Sequence, residues 1–165
     1  MKRILAAILL VVLTFSSVVL LSSCGPKPEL ELEDAAENLE DEKYTVTYVD
    51  DSDDAGIEEY LRASNGKDDY LYVTVYADAK LAKFAYKELK MEMKQEKEYY
   101  KLQIEYYEYM LDEYGKELES EDEDYYKELI KEYEKSLEEY DEYVIGRSGN
   151  TVWYGTKTAI EDSKG

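Results

Sequence analysis

The longest regular alternation of apolar and polar positions in the chain runs from about Asp78 to Val144. Tyr100, Ile104, Tyr107, Leu111, Tyr114 and Leu118 step by four and three residues, and so do Tyr126, Ile130, Tyr133, Leu137, Tyr140 and Val144. Side chains at those intervals share one face of an α-helix, so the stretch predicts two long helices, each with a heptad seam. Between the seams, Gly115 weakens the first helix, and Ser120 with Glu123 has the S-x-x-E form of a capping box for the second. The chain is therefore expected to reverse near Ser120. Antiparallel pairing would set Tyr114 against Tyr126, Leu111 against Ile130, Tyr107 against Tyr133, Ile104 against Leu137 and Tyr100 against Tyr140. A single uninterrupted helix is the rival reading.

The flanking segments alternate with other periods. Leu32, Ala35, Ala36 and Leu39 have helical spacing between Glu29 and Asp41, with Pro28 suited to the first turn and acids following it. Tyr44 to Val49 alternates Tyr and Val against Thr and reads as a strand, as does Glu58 to Ala63, which leads through Asn65-Gly66-Lys67-Asp68 into Tyr70 to Ala77. In that last strand Leu71, Val73 and Val75 form the expected buried face, while Tyr70, Tyr72, Thr74 and Tyr76 cover the other. Asp78 is placed to cap the next helix, whose Leu81, Phe84, Ala85 and Leu89 are expected to pack on the sheet. After the hairpin, Tyr143 to Asn150 and Thr151 to Gly155 predict a strand returning to the sheet around a Ser148-Gly149-Asn150 turn. Val152 and Tyr154 would take one face and Trp153 the other, with Thr156 capping a final helix. The pattern gives an α+β fold: a small antiparallel sheet packed by helices, with a long antiparallel helical hairpin, coiled-coil-like, inserted at about residues 90–143.

The amino terminus carries a different signal. Lys2 and Arg3 precede an apolar run from Ile4 to Leu21 that closes on Leu21-Ser22-Ser23-Cys24-Gly25, the three parts of a secretory signal peptide. Leu21-Ser22-Ser23-Cys24 resembles the bacterial lipobox. The resemblance implies a diacylglyceryl thioether on Cys24, cleavage before it, and further acylation, such as palmitate, on the new amino terminus. The domain reading is then a lipoprotein signal peptide at 1–23, a lipidated Cys24 with a short linker to residue 28, and one α+β domain from 29 to 165. The alternative is an uncleaved membrane span. Lys2 and Arg3 stay inside in either case, so the rest of the chain faces outward from the cell membrane.

Composition narrows the chemistry. Forty acids against twenty bases give a net charge of −20, which opposes nucleic acid and bare anionic lipid and favours cations or basic partners. There is no His, and the single Cys is committed to lipid, so Ser-His-Asp and Cys-His nucleophilic sites and the usual zinc sites are excluded. No cofactor is implied. A carboxylate-based hydrolase is the one catalytic class left open, and no pair of acids singles itself out. Asp51, Asp53 and Asp54 with Gly56 suggest a calcium loop, but Ala55 and Arg62 stand where the EF-hand needs an oxygen ligand and a bidentate Glu, so a solvated acidic turn is the plainer reading. Tyr99, Tyr106, Tyr109 and Tyr125 flank the seam on the outside and make a candidate interaction surface. Arg147 and Trp153 are candidate ligand contacts, set against the plainer reading of a core aromatic beside a turn.

Several stretches together carry a further resemblance: Asn38-Leu39-Glu40-Asp41-Glu42 leading into Tyr44-Thr45-Val46, Ala85-Tyr86-Lys87-Glu88-Leu89, and Gly146-Arg147-Ser148-Gly149-Asn150 before Tyr154-Gly155-Thr156. With the lipobox they resemble the small, uncharacterised lipoproteins of Gram-positive bacteria, over most of the mature chain outside the hairpin. That resemblance implies no activity. The expectation is a non-catalytic, membrane-anchored envelope protein whose hairpin contacts another protein or a basic ligand. The alternative is an extracytoplasmic solute or cation binder using the acidic loop or a pocket near Trp153.

Overall fold

The computed structural model describes residues 26–52, 54, 56–66, 69–114 and 120–165. The segment expected to be a signal peptide, with Cys24, and Asp53, Ala55, Lys67, Asp68, Gly115 and Leu118 lie outside the described residues. The elements follow in the order α1 (Leu32–Asp41), β1 (Thr45–Val49), β2 (Ile57–Ser64), β3 (Tyr70–Tyr76), α2 (Ala79–Tyr114), α3 (Ser120–Glu142), β4 (Tyr143–Ser148), β5 (Thr151–Thr156) and α4 (Lys157–Asp162). The fold is α+β: one antiparallel sheet of order β1-β2-β3-β5-β4, with helices on both faces and the α2–α3 hairpin inserted between β3 and β4.

Period-two alternation decides what each face holds. Leu61 pairs with Val73, Ala63 with Leu71, and Val73 with Trp153, so these side chains meet on one face. The apolar stripe of α1, Leu32, Ala35, Ala36 and Leu39, covers that face together with Ala159 and Ile160 of α4. Leu61, Leu71 and Val73 are fully buried there. The Tyr44 hydroxyl donates to the Asp162 carboxylate at 2.8 Å and ties the start of β1 to α4. Burial first, and then that acceptor, push the Tyr44 phenol up.

The helix ends show how local chemistry punctuates the chain. At the end of α1, Lys43 adopts φ 69° while its N–H reaches Glu40 O at 2.9 Å and the Tyr44 N–H reaches Leu39 O at 2.9 Å. That is a Schellman closure with Lys where Gly is usual. Pro28 is buried four residues ahead of α1 rather than in its first turn. Asp78 Oδ1 accepts from the N–H groups of Lys80 and Leu81 at 2.7 and 2.9 Å and so caps α2 as its sequence position suggests. Thr156 caps α4 by accepting from the Ala159 N–H at 3.3 Å. Ser120 lies inside the first turn of α3 rather than before it, and the Glu123 carboxylate binds Lys127, four residues on.

On the second face the sequence reading needs one correction. Ala82 is the residue of α2 that is fully buried, while Leu81 and Phe84 are exposed, Phe84 by 65%. A helix can approach a sheet closely only where its side chains are small, and that rotates Phe84 toward the edge. Beyond the sheet the two helices run as the expected antiparallel pair. The rings of Tyr107 and Tyr133, and those of Tyr100 and Tyr140, meet at 6.0 and 5.7 Å as the pairing predicts. Tyr100 also touches Tyr133, and Tyr107 also touches Tyr126, at 5.8 and 5.6 Å. Tyr100 and Tyr107 thus each sit between two α3 tyrosines one heptad apart, as knobs in holes. Tyr114 falls outside this arrangement: it is 45% exposed and its ring leans on Tyr109.

Candidate functional site

Trp153 is 2% exposed and packs in the core against Gly146, where an added methyl group would overlap the indole ring. A residue so placed offers no contact surface, which removes it from the candidate interaction set and leaves the core reading. Arg147 is half-buried at the β4–β5 turn and donates from Nη1 to Gly149 O at 2.6 Å, closing the turn across the left-handed Gly149. Its guanidinium is thus engaged within its own hairpin.

The acidic loop is organised by backbone geometry. Ile57 N–H donates to Asp54 O at 3.0 Å across Gly56, whose φ of 85° suits the third position of a type II turn. Ser52 N–H reaches Glu58 O at 3.0 Å, and Ser52 Oγ accepts from the Asp54 N–H at 3.2 Å. Among the described residues, no group of three or more Asp or Glu side chains is arranged to hold a metal ion.

The hairpin carries the largest concentration of chemistry. Tyr72 and Tyr154 stack at 4.7 Å on the outer face of the sheet, and Tyr70 joins them to Tyr143 at 5.2 Å. Tyr143 contacts Tyr140 at 5.3 Å, which opens into the seam of Tyr100, Tyr133, Tyr107 and Tyr126. A continuous train of rings therefore connects the sheet to the outer half of the hairpin. Burial, then the hydrogen bond to Glu96, raise the Tyr140 phenol; burial chiefly, then its tyrosine neighbours, raise Tyr133. Lys97 Nζ binds Asp141 Oδ1 across the helices at 2.8 Å and holds that carboxyl below its usual range.

The tyrosines expected outside the seam are there. Tyr99, Tyr106, Tyr109 and Tyr125 are each more than half exposed, and Leu102 beside them is 62% exposed. Phe84, Met91, Leu102, Tyr106 and Tyr109 fall on one outward stripe of α2, since steps of 7, 11, 4 and 3 residues each return close to the same helical angle.

A second stripe lies next to it. Lys83, Lys87, Lys90, Lys94, Lys97 and Lys101 repeat at four and three residues, and with Lys80 they make seven of the twenty basic residues of the chain. Lys90, Lys94, Lys97 and Lys101, with Met93, Glu98 and Ile145 of β4, line an open groove of about 460 Å³ to which, among the described residues, α3 contributes none. Lys94 pairs with Glu98 at 3.5 Å and Lys90 lies over the Tyr86 ring at 5.4 Å. Lys83, Lys87 and Lys101 have no ion pair within 4 Å among the described residues. This basic face runs against the charge of the whole chain and was hidden by it. Its signal in the sequence is the 4-3 spacing of lysines, the same spacing that marks the tyrosine seam.

A further groove of about 480 Å³ lies between the outer sheet face and α2, lined by Arg62, Tyr72, Thr74, Tyr76, Phe84, Glu88, Glu92 and Tyr154 among others. Arg62 stacks over Tyr60 at 4.9 Å at its margin. Among the described residues, no helix is long and apolar enough to cross a membrane. No family model, no curated protein and no solved structure matches the chain.

Proposed function

We propose that the chain is a membrane-anchored, extracytoplasmic lipoprotein without catalytic activity, and that its helical hairpin is a protein-interaction module of the cell envelope. The anchor rests on Leu21-Ser22-Ser23-Cys24 and its resemblance to a lipobox. Two or more acyl chains, at about 0.8 kcal/mol per buried CH₂, hold a protein lastingly where one chain binds only marginally. The observation that carries the interaction reading is the outward stripe of α2. Phe84, Met91, Leu102, Tyr106 and Tyr109, with Tyr99 beside them, are large side chains that the fold leaves exposed. Scattered apolar residues need no explanation, whereas an aligned stripe beside a charged one has the composition of a contact surface.

The test replaces Glu92–Glu142 with a short loop and compares crosslinking in intact cells. The expected result is a partner captured by the full chain and lost from the shortened one, with the sheet domain still folded. Equal capture by both chains would contradict the reading. Cys24→Ala is expected to abolish incorporation of radiolabelled palmitate, and undiminished labelling would contradict the anchor.

A second reading is a solute-binding lipoprotein, favoured by the groove between the sheet and α2. Its mix of aromatic rings with Arg62, Glu88 and Glu92 suits a small polar or zwitterionic ligand. Ligand binding retained after removal of the hairpin would favour it.

A further inference from the structure

We infer that the partner of the hairpin is a second copy of this chain, docked antiparallel along α2. The inference rests on the interaction reading above and names its occupant. The lysine stripe does not continue to the end of α2. At Glu105, Glu108 and Asp112 the same 4-3 series changes sign, so one face of the helix is basic in its inner half and acidic in its outer half. Such a face is complementary to itself when reversed.

A two-fold axis near Leu102 and Gln103 brings Lys101 opposite Glu105 of the second copy, Lys97, which also holds Asp141 of its own chain, opposite Glu108, and Lys94, which also holds Glu98, opposite Asp112. Each contact occurs twice, as an isologous interface requires. The neighbouring apolar stripe is then covered in the same movement. Leu102, 62% exposed, meets its own counterpart near the axis, and Tyr99 meets Tyr106. The groove lined by Lys90, Lys94, Lys97 and Lys101 with Met93, Ile145 and the single acid Glu98 receives the acidic outer half of the other copy, with four lysines against one carboxylate. In a parallel arrangement the two basic halves would lie level with each other, as would the two acidic halves, so only the antiparallel arrangement sets one against the other.

The test is a charge swap on the full chain in detergent micelles, with protein mass read by light scattering. One variant carries Lys94→Glu, Lys97→Glu and Lys101→Glu; the other carries Glu105→Lys, Glu108→Lys and Asp112→Lys. The expected result is a wild-type dimer at about 100 µM that weakens at least tenfold near 1 M salt, where the Debye length is about 3 Å. Each variant alone should be monomeric, and the equimolar mixture should again be dimeric. The recovery in the mixture separates lost pairing from lost folding. A monomeric wild type, a dimer unmoved by either variant, or a mixture that stays monomeric would each overturn the inference. If the wild type is monomeric while capture in cells still depends on Glu92–Glu142, the interaction reading stands and the self-pairing alone falls.

Discussion

Leu71 and Leu111 are the same residue in two different kinds of structure. Leu71 is fully buried between a paired strand and the helices that cover it, in a core that also takes Leu32, Leu39, Leu61 and Ile160. Leu111 is half-buried in a seam only two helices wide. A sheet with helices on its face can surround a side chain, while two helices can cover it from one side only. In the hairpin, tyrosine answers that geometry: its ring packs on a neighbour and its hydroxyl stays in reach of water or a carboxylate, as Tyr140 does with Glu96. What the seam does not use, on the outward stripe of α2, remains for contacts beyond the fold.

The contrast is tested most strongly by truncating both leucines. Leu71→Ala should cost about 2–5 kcal/mol in chemical denaturation, the range for a buried leucine whose site cannot collapse. Leu111→Ala should cost under about 1 kcal/mol and leave the unfolding midpoint of the sheet in place. Equal costs would show that the hairpin is as well packed as the core. Gly146→Ala comes next, because the methyl group enters the space of the buried Trp153 ring. A loss of about 1–3 kcal/mol is expected for overpacking, with a red shift of the indole emission.

Alkaline titration separates the regions by another route. Tyr44, Tyr70 and Tyr140 are raised mainly by burial, and Tyr48 is pushed up to about 12, first by its hydrogen bond to Glu59. Unfolded, these phenols lose their protons near pH 10. Below that value the contribution is fully present. Above it the unfolded chain has released protons that the folded chain still holds, so stability falls as pH rises through the folded-state values. Denaturant midpoints should therefore be flat from pH 8 to about 10 and decline beyond it. A midpoint that climbs above pH 10 would contradict the assignment. A small effect of the opposite sign is expected at Lys43, whose left-handed φ strains any side chain. Lys43→Gly should raise stability by about 1 kcal/mol in thermal unfolding, and a loss would mean that its side chain contributes more than its backbone costs.

The parts of this molecule that were legible in the sequence are those where one period dominates. Leu32, Ala35, Ala36 and Leu39 could lie only on one helix face, and Leu71 with Val73 only on one strand face. The hairpin pairing was legible because both seams keep a heptad step, and the register of Tyr107 with Tyr133 follows from the short reversal between them. Phase was harder where two sets compete. Leu81 and Phe84 have helical spacing, but so do Ala82, Ala85 and Leu89, and close approach to the sheet selects the set led by the small Ala82. Trp153 was a candidate ligand contact set against the plainer reading of a core aromatic, and strand alternation, which places it beside Val73, decides for the core. The lysine stripe was obscured by the net charge, an average that says nothing of where like charges align.

Hydrogen exchange of the full chain, measured amide by amide at two protein concentrations, tests the central claim most directly. The account predicts that amides of β2, β3 and β5 exchange only through global unfolding, at rates independent of concentration. Amides from Leu102 to Leu111 should exchange faster than these in dilute protein, and slow as concentration rises and the exposed stripe is covered. Protection in the hairpin that equals that of the sheet in dilute protein, or that does not change with concentration, would contradict it.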